Sequence, residues 1–310
     1  MIARIEEGTR RAAVLGIAVL GIALALAACT ETPTTADAGR ADASASDAGT
    51  TLDAGGSGRC EVNEVSLTLT ISAGGFADDQ LVPITYRGEE GYLAIDTGSP
   101  LTFVFGDPDG PTYVDDAGEV EIGCERFGVP AVTLEAIGRE PFRDRYVLGI
   151  LGLDFFASAP SELDYPGRRV VRHLDGRPDF EDATIVDVAW NGDRIVVEAT
   201  FDGEPLRLMY DAGSPHTLWV GQMARPGDEE VELNTVDGGS LLAYEGTAVL
   251  AFAGETRTVP VWRTERFEYL EEELMELGAV GLFGVSSLGF RRLVFDLEHD
   301  RLGLGPRVSP

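Results

Sequence analysis

Two short stretches carry the residues that could do chemistry. Gly91-Tyr92-Leu93-Ala94-Ile95-Asp96-Thr97-Gly98-Ser99-Pro100 is echoed by Pro205-Leu206-Arg207-Leu208-Met209-Tyr210-Asp211-Ala212-Gly213-Ser214-Pro215, with the two aspartates 115 residues apart. Each stretch is an apolar run that enters Asp-x-Gly-Ser-Pro, so each copy offers one carboxyl on a glycine-containing turn. Two carboxyls brought within a few Å cannot both ionise easily; one proton is then shared and their pKa values separate. Such a pair can act as base and acid at once on a water molecule, without a nucleophile, a metal or a cofactor. Competing chemistry is poorly supplied. His173, His216 and His299 are scattered, and no Gly-x-Ser-x-Gly or His-Glu-x-x-His motif accompanies them. The Glu271-Glu272-Glu273 run reads as the solvated face of a helix.

The elements that must position these aspartates are short strands. Val65–Ile71, Leu81–Tyr86, Tyr92–Ile95, Val129–Leu134 and the chain from Ile195 onward are rich in β-branched residues and bounded by Gly, Pro, Asp or Asn. One helix is expected at Phe267–Leu277, where Phe267, Leu270, Leu274 and Leu277 share a face. The repeat extends beyond the aspartates. Leu148-Gly149-Ile150-Leu151-Gly152 is matched by Val280-Gly281-Leu282-Phe283-Gly284, and each is followed by a strand whose aspartate, Asp164 or Asp296, lies 12 residues past the last glycine. The chain thus holds two copies of one β unit, joined near His173–Ala183.

Asp96-Thr97-Gly98-Ser99 resembles the Asp-Thr-Gly-Ser signature of pepsin-like and retroviral-type aspartic proteases. The stretch from Gly281 to Gly305, with Leu282-Phe283-Gly284 and Leu293-Val294-Phe295-Asp296, is similar to the closing segment of pepsins. The resemblance covers residues 60–310 and implies a mostly β, bilobal pepsin-like (acid protease) fold made of two similar β lobes, here 59–178 and 179–310. It implies an aspartic-type endopeptidase with Asp96 and Asp211 as its catalytic pair. It also implies that Gly98 and Gly213 allow a tight turn and aim N–H groups at the carboxylates. Ser99 and Ser214 would bond the outer carboxylate oxygens, and Thr97 would reach across to the opposite loop. Gly152 and Gly284 would admit a neighbouring chain behind each loop. A flap tyrosine would cover the substrate, with Tyr113 in Thr112–Cys124 and Tyr244 in Leu241–Thr247 as the candidates. Ala212 departs from the family, which has Thr or Ser there, so the second loop lacks its half of the cross-lobe hydroxyl link. An inactive fold of the same kind, serving as a surface peptide-binding or structural module, stays open beside the enzyme. Both halves of the pair lie in one chain, so a monomer acting on a peptide or protein substrate is expected.

The rest of the sequence bounds the setting. Fifty-three acidic residues against 24 arginines and no lysine give a net charge of −29, which argues against nucleic-acid partners. Residues 1–29 read as a signal peptide: Arg10-Arg11 precede an apolar run too short for comfort as a membrane span. The run closes on Leu26-Ala27-Ala28-Cys29, which resembles the lipobox of bacterial lipoproteins. That resemblance implies lipidation of Cys29 and attachment to a membrane of the cell envelope; an uncleaved anchor is the other reading. Residues 30–58, almost without large apolar side chains, read as a disordered linker. Cys60 and Cys124 remain, an even number in an oxidising compartment, and a disulfide between them is expected. Two cysteines without adjacent histidines make a poor metal site.

Overall fold

The computed structural model describes residues 60–71, 77–107, 109–133, 141–142, 145–234 and 240–309. Residues 1–59, with the lipobox Cys29 and the linker, lie outside them. The described chain is mostly β, in three sheets.

The sequence repeat is a repeat of topology. In the sheet drawn from residues 68–151, six strands run in the order Ala77–Tyr86, Glu89–Ile95, Arg145–Leu151, Phe103–Phe105, Ala131–Val132 and Tyr113–Val114. In the sheet drawn from residues 189–283 the order is Ile195–Phe201, Glu204–Tyr210, Gly281–Phe283, Thr217–Val220, Glu255–Thr264 and Ser240–Phe252. The directions match as well. In each sheet the strand leading into the aspartate lies parallel to the strand that ends in the apolar-apolar-Gly motif, pairing Ile95 with Leu151 and Tyr210 with Phe283. In each, the strand after the aspartate runs antiparallel to that same strand.

A six-stranded sheet takes three strands from each copy, in the order Val62–Ser66, Arg169–His173, Ser161–Asp164, Arg292–Asp296, Arg301–Leu304, Thr184–Asp187. The copies meet at its centre, where Leu163 lies opposite Leu293. One hydrophobic core runs through both copies and includes Leu93, Phe156, Leu163, Tyr210, Phe283 and Phe295. Phe156 and Phe295 touch across the join, with ring centroids 5.1 Å apart. Because the join is made of side chains worth roughly 1.5–3 kcal/mol each on burial, the two copies are held as one packed unit.

Cys60 and Cys124 form a disulfide, their Cα atoms 6.4 Å apart. The bridge ties the chain entering Val62–Ser66 to the turn between Glu119–Ile122 and Glu125–Gly128. Buried Asn63 reinforces it: its amide donates to Ile122 O at 2.8 Å, and its carbonyl accepts from Cys124 N–H at 3.2 Å.

The helix spans Glu268–Leu277 and buries Phe267, Leu270 and Leu274. Gly278 ends it in the left-handed conformation, φ 61°, returning its N–H to Leu274 O and Met275 O. Two expectations need correction. Val129–Leu134 contributes only the strand Ala131–Val132, since Pro130 has no N–H to pair, and Leu134 lies outside the described residues. The glutamate run is not uniformly solvated. Glu272 is exposed, but Glu273 turns inward to pair with buried Arg194 at 2.5 Å.

Candidate active site

Each aspartate is delivered by the end of a strand and held by the strand beside it. Asp96 N–H donates to Leu151 O at 3.0 Å, and Asp211 N–H to Phe283 O at 3.2 Å. The turns that follow are built alike. Ser99 N–H returns to Asp96 O and Ser214 N–H to Asp211 O. Leu153 N–H donates to Ser99 O at 2.8 Å, and its counterpart Val285 N–H to Ser214 O at 3.0 Å. Six residues past each aspartate stands a threonine that the motif does not include. Thr102 Oγ1 accepts from Gly152 N–H at 3.0 Å, and Thr217 Oγ1 from Gly284 N–H at 3.2 Å. The repeat itself could have found this pair.

Gly152 and Gly284 are glycines because backbone passes directly over them. A Cβ on Gly152 would lie 2.3 Å from Leu101 C and O; one on Gly284 would lie 2.2 Å from His216 O. Gly98 and Gly213 stand in the tight turns expected of them, each closed by the serine N–H that returns to the aspartate carbonyl, and neither needs a positive φ there. A Cβ on Gly98 would lie 2.8 Å from Asp211 Cγ, and one on Gly213 would lie 2.9 Å from Asp96 Cγ. Each glycine thus leaves room for the carboxyl of the other loop, and the two loops face one another.

The carboxyls are hydrogen-bonded to each other and almost fully buried, Asp96 at 0% and Asp211 at 1% exposure. Their surroundings are unequal. Asp211 Oδ1 accepts from Gly213 N–H at 2.8 Å and from Gly98 N–H at 3.3 Å. Among the described residues, Asp96 Oδ1 accepts from Ser99 N–H alone, at 3.1 Å, and Asp96 Oδ2 is buried with no N–H or O–H donor. Burial, then the charge of Asp211 and the bond to it, hold Asp96 well above the usual carboxylate range. Burial also raises Asp211, but less, because the Gly213 N–H, the bond from Asp96 and the Gly98 N–H all favour its ionised form. The backbone donors therefore favour charge on Asp211 over charge on Asp96.

Thr97 does reach the opposite loop, where its Oγ1 accepts from Ala212 N–H at 2.7 Å. The serine hydroxyls, by contrast, turn away from the carboxylates. Ser99 Oγ donates to Leu101 O and Ser214 Oγ to His216 O, each at 2.7 Å. A hydroxyl two residues before a carbonyl in a tight turn finds it more readily than the oxygens behind it. Their contribution to the site is as backbone donors.

Tyr113 and Tyr244 are not counterparts. Val114 lies opposite Ala131, which pairs with Val104; Tyr244 lies opposite Arg263, which pairs with Trp219. Val104 and Trp219 each stand eight residues past their aspartate, so Tyr244 matches Val114 and Tyr113 is one residue out of step. Successive strand residues face opposite sides, so the two tyrosines point to different faces. Tyr113 packs on the cluster of Phe103, Phe105 and Val132. His216 follows the second loop, its ring edge-on to Trp262 with centroids 4.4 Å apart, and burial pushes its pKa down to about 4. His173 and His299 bond Glu162 and Asp296, away from the aspartates.

Gln80 carried no sequence signal. It is 4% exposed, in the strand beside the one that delivers Asp96, and its Nε2 donates to Ala212 O at 2.8 Å.

No protein-family model matches the chain, and no curated protein matches it. Among solved structures it is similar to the crystal structure of Basic 7S globulin from soybean. The TM-score is 0.47 at 9% identity, over 79% of this chain and 95% of that one.

Proposed function

We propose that the chain is a two-lobed aspartic-type endopeptidase of the pepsin-like kind, with lobes at 59–178 and 179–310. The reading is supported above all by the buried, mutually bonded carboxyls on two facing copies of one loop, with the backbone donors concentrated on Asp211. Asp211, ionised, takes a proton from water as its oxygen attacks the scissile carbonyl carbon. Asp96 gives its proton to the carbonyl oxygen. The resulting neutral tetrahedral intermediate collapses as a proton passes to the leaving nitrogen and the C–N bond breaks, and the pair regains one shared proton. Both chemical roles are filled by carboxyls, and no cofactor enters any step. The chain acts as a monomer on peptide or protein substrates.

Ala212, which removes one cross-lobe hydroxyl, and the near-complete burial of both carboxyls favour the second reading, an inactive peptide-binding or structural module. Retention of both acids, with unequal backbone support that splits their proton affinities, favours hydrolysis. Incubating the protein with a diverse peptide mixture from pH 3 to 7 and mapping new termini by mass spectrometry decides between them. Reproducible cleavage with a sequence preference supports the enzyme, and an intact mixture with bound peptides supports the module.

The lipobox at Cys29 leads us to place the protein on a membrane of the cell envelope, held off the surface by residues 30–58. Among the described residues no helix is long and apolar enough to cross a membrane. Cys29→Ser should release the protein from the membrane fraction or block its processing; unchanged fractionation and migration would remove the anchor from the account.

A further inference from the structure

We infer that Gln80 is a positioning residue for the Asp211 carboxylate, acting through the peptide group between Ala212 and Gly213. That peptide group faces two ways. Its carbonyl accepts from Gln80 Nε2 at 2.8 Å, while its N–H donates to Asp211 Oδ1 at 2.8 Å. The two ends of a trans peptide are rigidly opposed, so fixing the carbonyl fixes the direction of the N–H. A donor on the carbonyl also polarises the amide and strengthens the bond that its N–H makes.

Gln80 is itself held. Tyr165 O–H donates to Gln80 Oε1 at 2.9 Å, which leaves the amide nitrogen as the end that meets Ala212. The Tyr165 hydroxyl in turn neighbours that of Tyr210, the residue before Asp211. Both tyrosines are fully buried and stay protonated. The relay begins and ends beside Asp211, and it crosses from the first copy of the repeat to the second.

The brace falls on one loop only. Leu81 pairs with Ala94 as Val196 pairs with Met209, so the residue matching Gln80 in the second copy is Ile195, which has no amide to offer. The braced loop is the one that lost its hydroxyl. Ala212 contributes no side-chain bond, yet both of its backbone groups are gripped from the first copy, the N–H by Thr97 and the carbonyl by Gln80. The concentration of donors on Asp211, and with it the division of roles between the aspartates, depends on that grip.

The inference rests on the hydrolase reading but can be read without turnover. In the full protein, Gln80→Met keeps the volume and removes the donor. It should lower kcat about tenfold, the equivalent of one hydrogen bond, with KM changed less than about twofold. The NMR titration of the Asp211 carboxyl should move upward in the same variant. Gln80→Glu should match the parent at acid pH, where its protonated carboxyl donates to Ala212 O, and fall to the Gln80→Met level as it ionises. Tyr165→Phe, which frees Gln80 without removing it, should move both readouts in the same direction by less, and it stands in should Gln80→Met fail to fold. An unchanged Asp211 titration in Gln80→Met and Tyr165→Phe overturns the inference. If the parent protein cleaves nothing, the hydrolase reading fails by itself, and the titration still decides whether Gln80 sets the carboxylate.

Discussion

Adding one methyl group behind the second aspartate should be strongly destabilising. In Gly284→Ala the new Cβ would sit 2.2 Å from His216 O, 2.3 Å from His216 C and 2.7 Å from Ser214 O, where ordinary contact is 3.4–4 Å. All three are backbone atoms, so no side chain can rotate out of the way. His216 O already accepts from Ser214 Oγ, and Ser214 O from Val285 N–H. Relief therefore means moving the turn that carries Asp211 and loosening those bonds. Overpacking alone costs about 1–3 kcal/mol, and each hydrogen bond given up adds about 1 kcal/mol, so a loss of roughly 3–5 kcal/mol is expected. Urea unfolding followed by circular dichroism, analysed by linear extrapolation, measures it. Gly128→Ala is the matched control: Gly128 is exposed and a Cβ there meets nothing within 4 Å, so its effect should stay within about 0.5 kcal/mol. If Gly284→Ala unfolds within about 1 kcal/mol of the parent, alongside Gly128→Ala, the close approach that defines the loop is not present.

Two further outcomes follow from the same arrangement. The native state holds the Asp96 proton more tightly than the unfolded chain does. The contribution of Asp96 to stability is therefore greatest below the unfolded carboxylate pKa of about 3.9 and is lost as pH rises through the raised native value. Asp96→Asn removes that titration; it should be the more stable protein at pH 7, and the gap should close near pH 3.5. Denaturation at the two pH values checks this, and a gap that does not depend on pH contradicts it. Opening the Cys60–Cys124 bridge, by reduction or Cys60→Ser, should cost about 2–4 kcal/mol, since it closes a loop with a sequence separation of 64. Unfolding curves with and without reductant give the difference, and superimposable curves would deny the bridge any part in stability.

Much of this site was legible because the sequence repeats itself. The two Asp-x-Gly-Ser-Pro turns, the glycines at 152 and 284 and the strands ending at Asp164 and Asp296 occur in the same order twice, and a duplicated pattern exposes positions that a single copy would hide. The helix was legible because Phe267, Leu270 and Leu274 are apolar at helical spacing. The disulfide was legible from parity and from the oxidising compartment that the first 29 residues imply. Other features depend on distance in space, which one sequence does not encode. Gln80 follows two aspartates at the polar start of its strand, and its partners, Ala212 and Tyr165, are far from it in the chain. The direction of the Ser99 and Ser214 hydroxyls depends on which acceptor the folded turn brings nearer. Tyr113 and Tyr244 differ by one residue of register, and one residue reverses the face of a strand. Glu273 lies in a run of three acids whose burial is decided by Arg194, almost 80 residues away.

The central claim is that Asp96 and Asp211 form one proton-sharing unit that hydrolyses peptides. It is tested most directly by the pH profile of peptide cleavage in the parent, in Asp96→Asn and in Asp211→Asn, with folding of each verified by circular dichroism. The account predicts cleavage by the parent that is greatest on the acid side and falls as the second carboxyl ionises, and cleavage by neither variant at any pH, since one carboxyl cannot be base and acid together. Cleavage at parental rates by either folded variant, or a parental profile that climbs steadily to neutral pH, would contradict it.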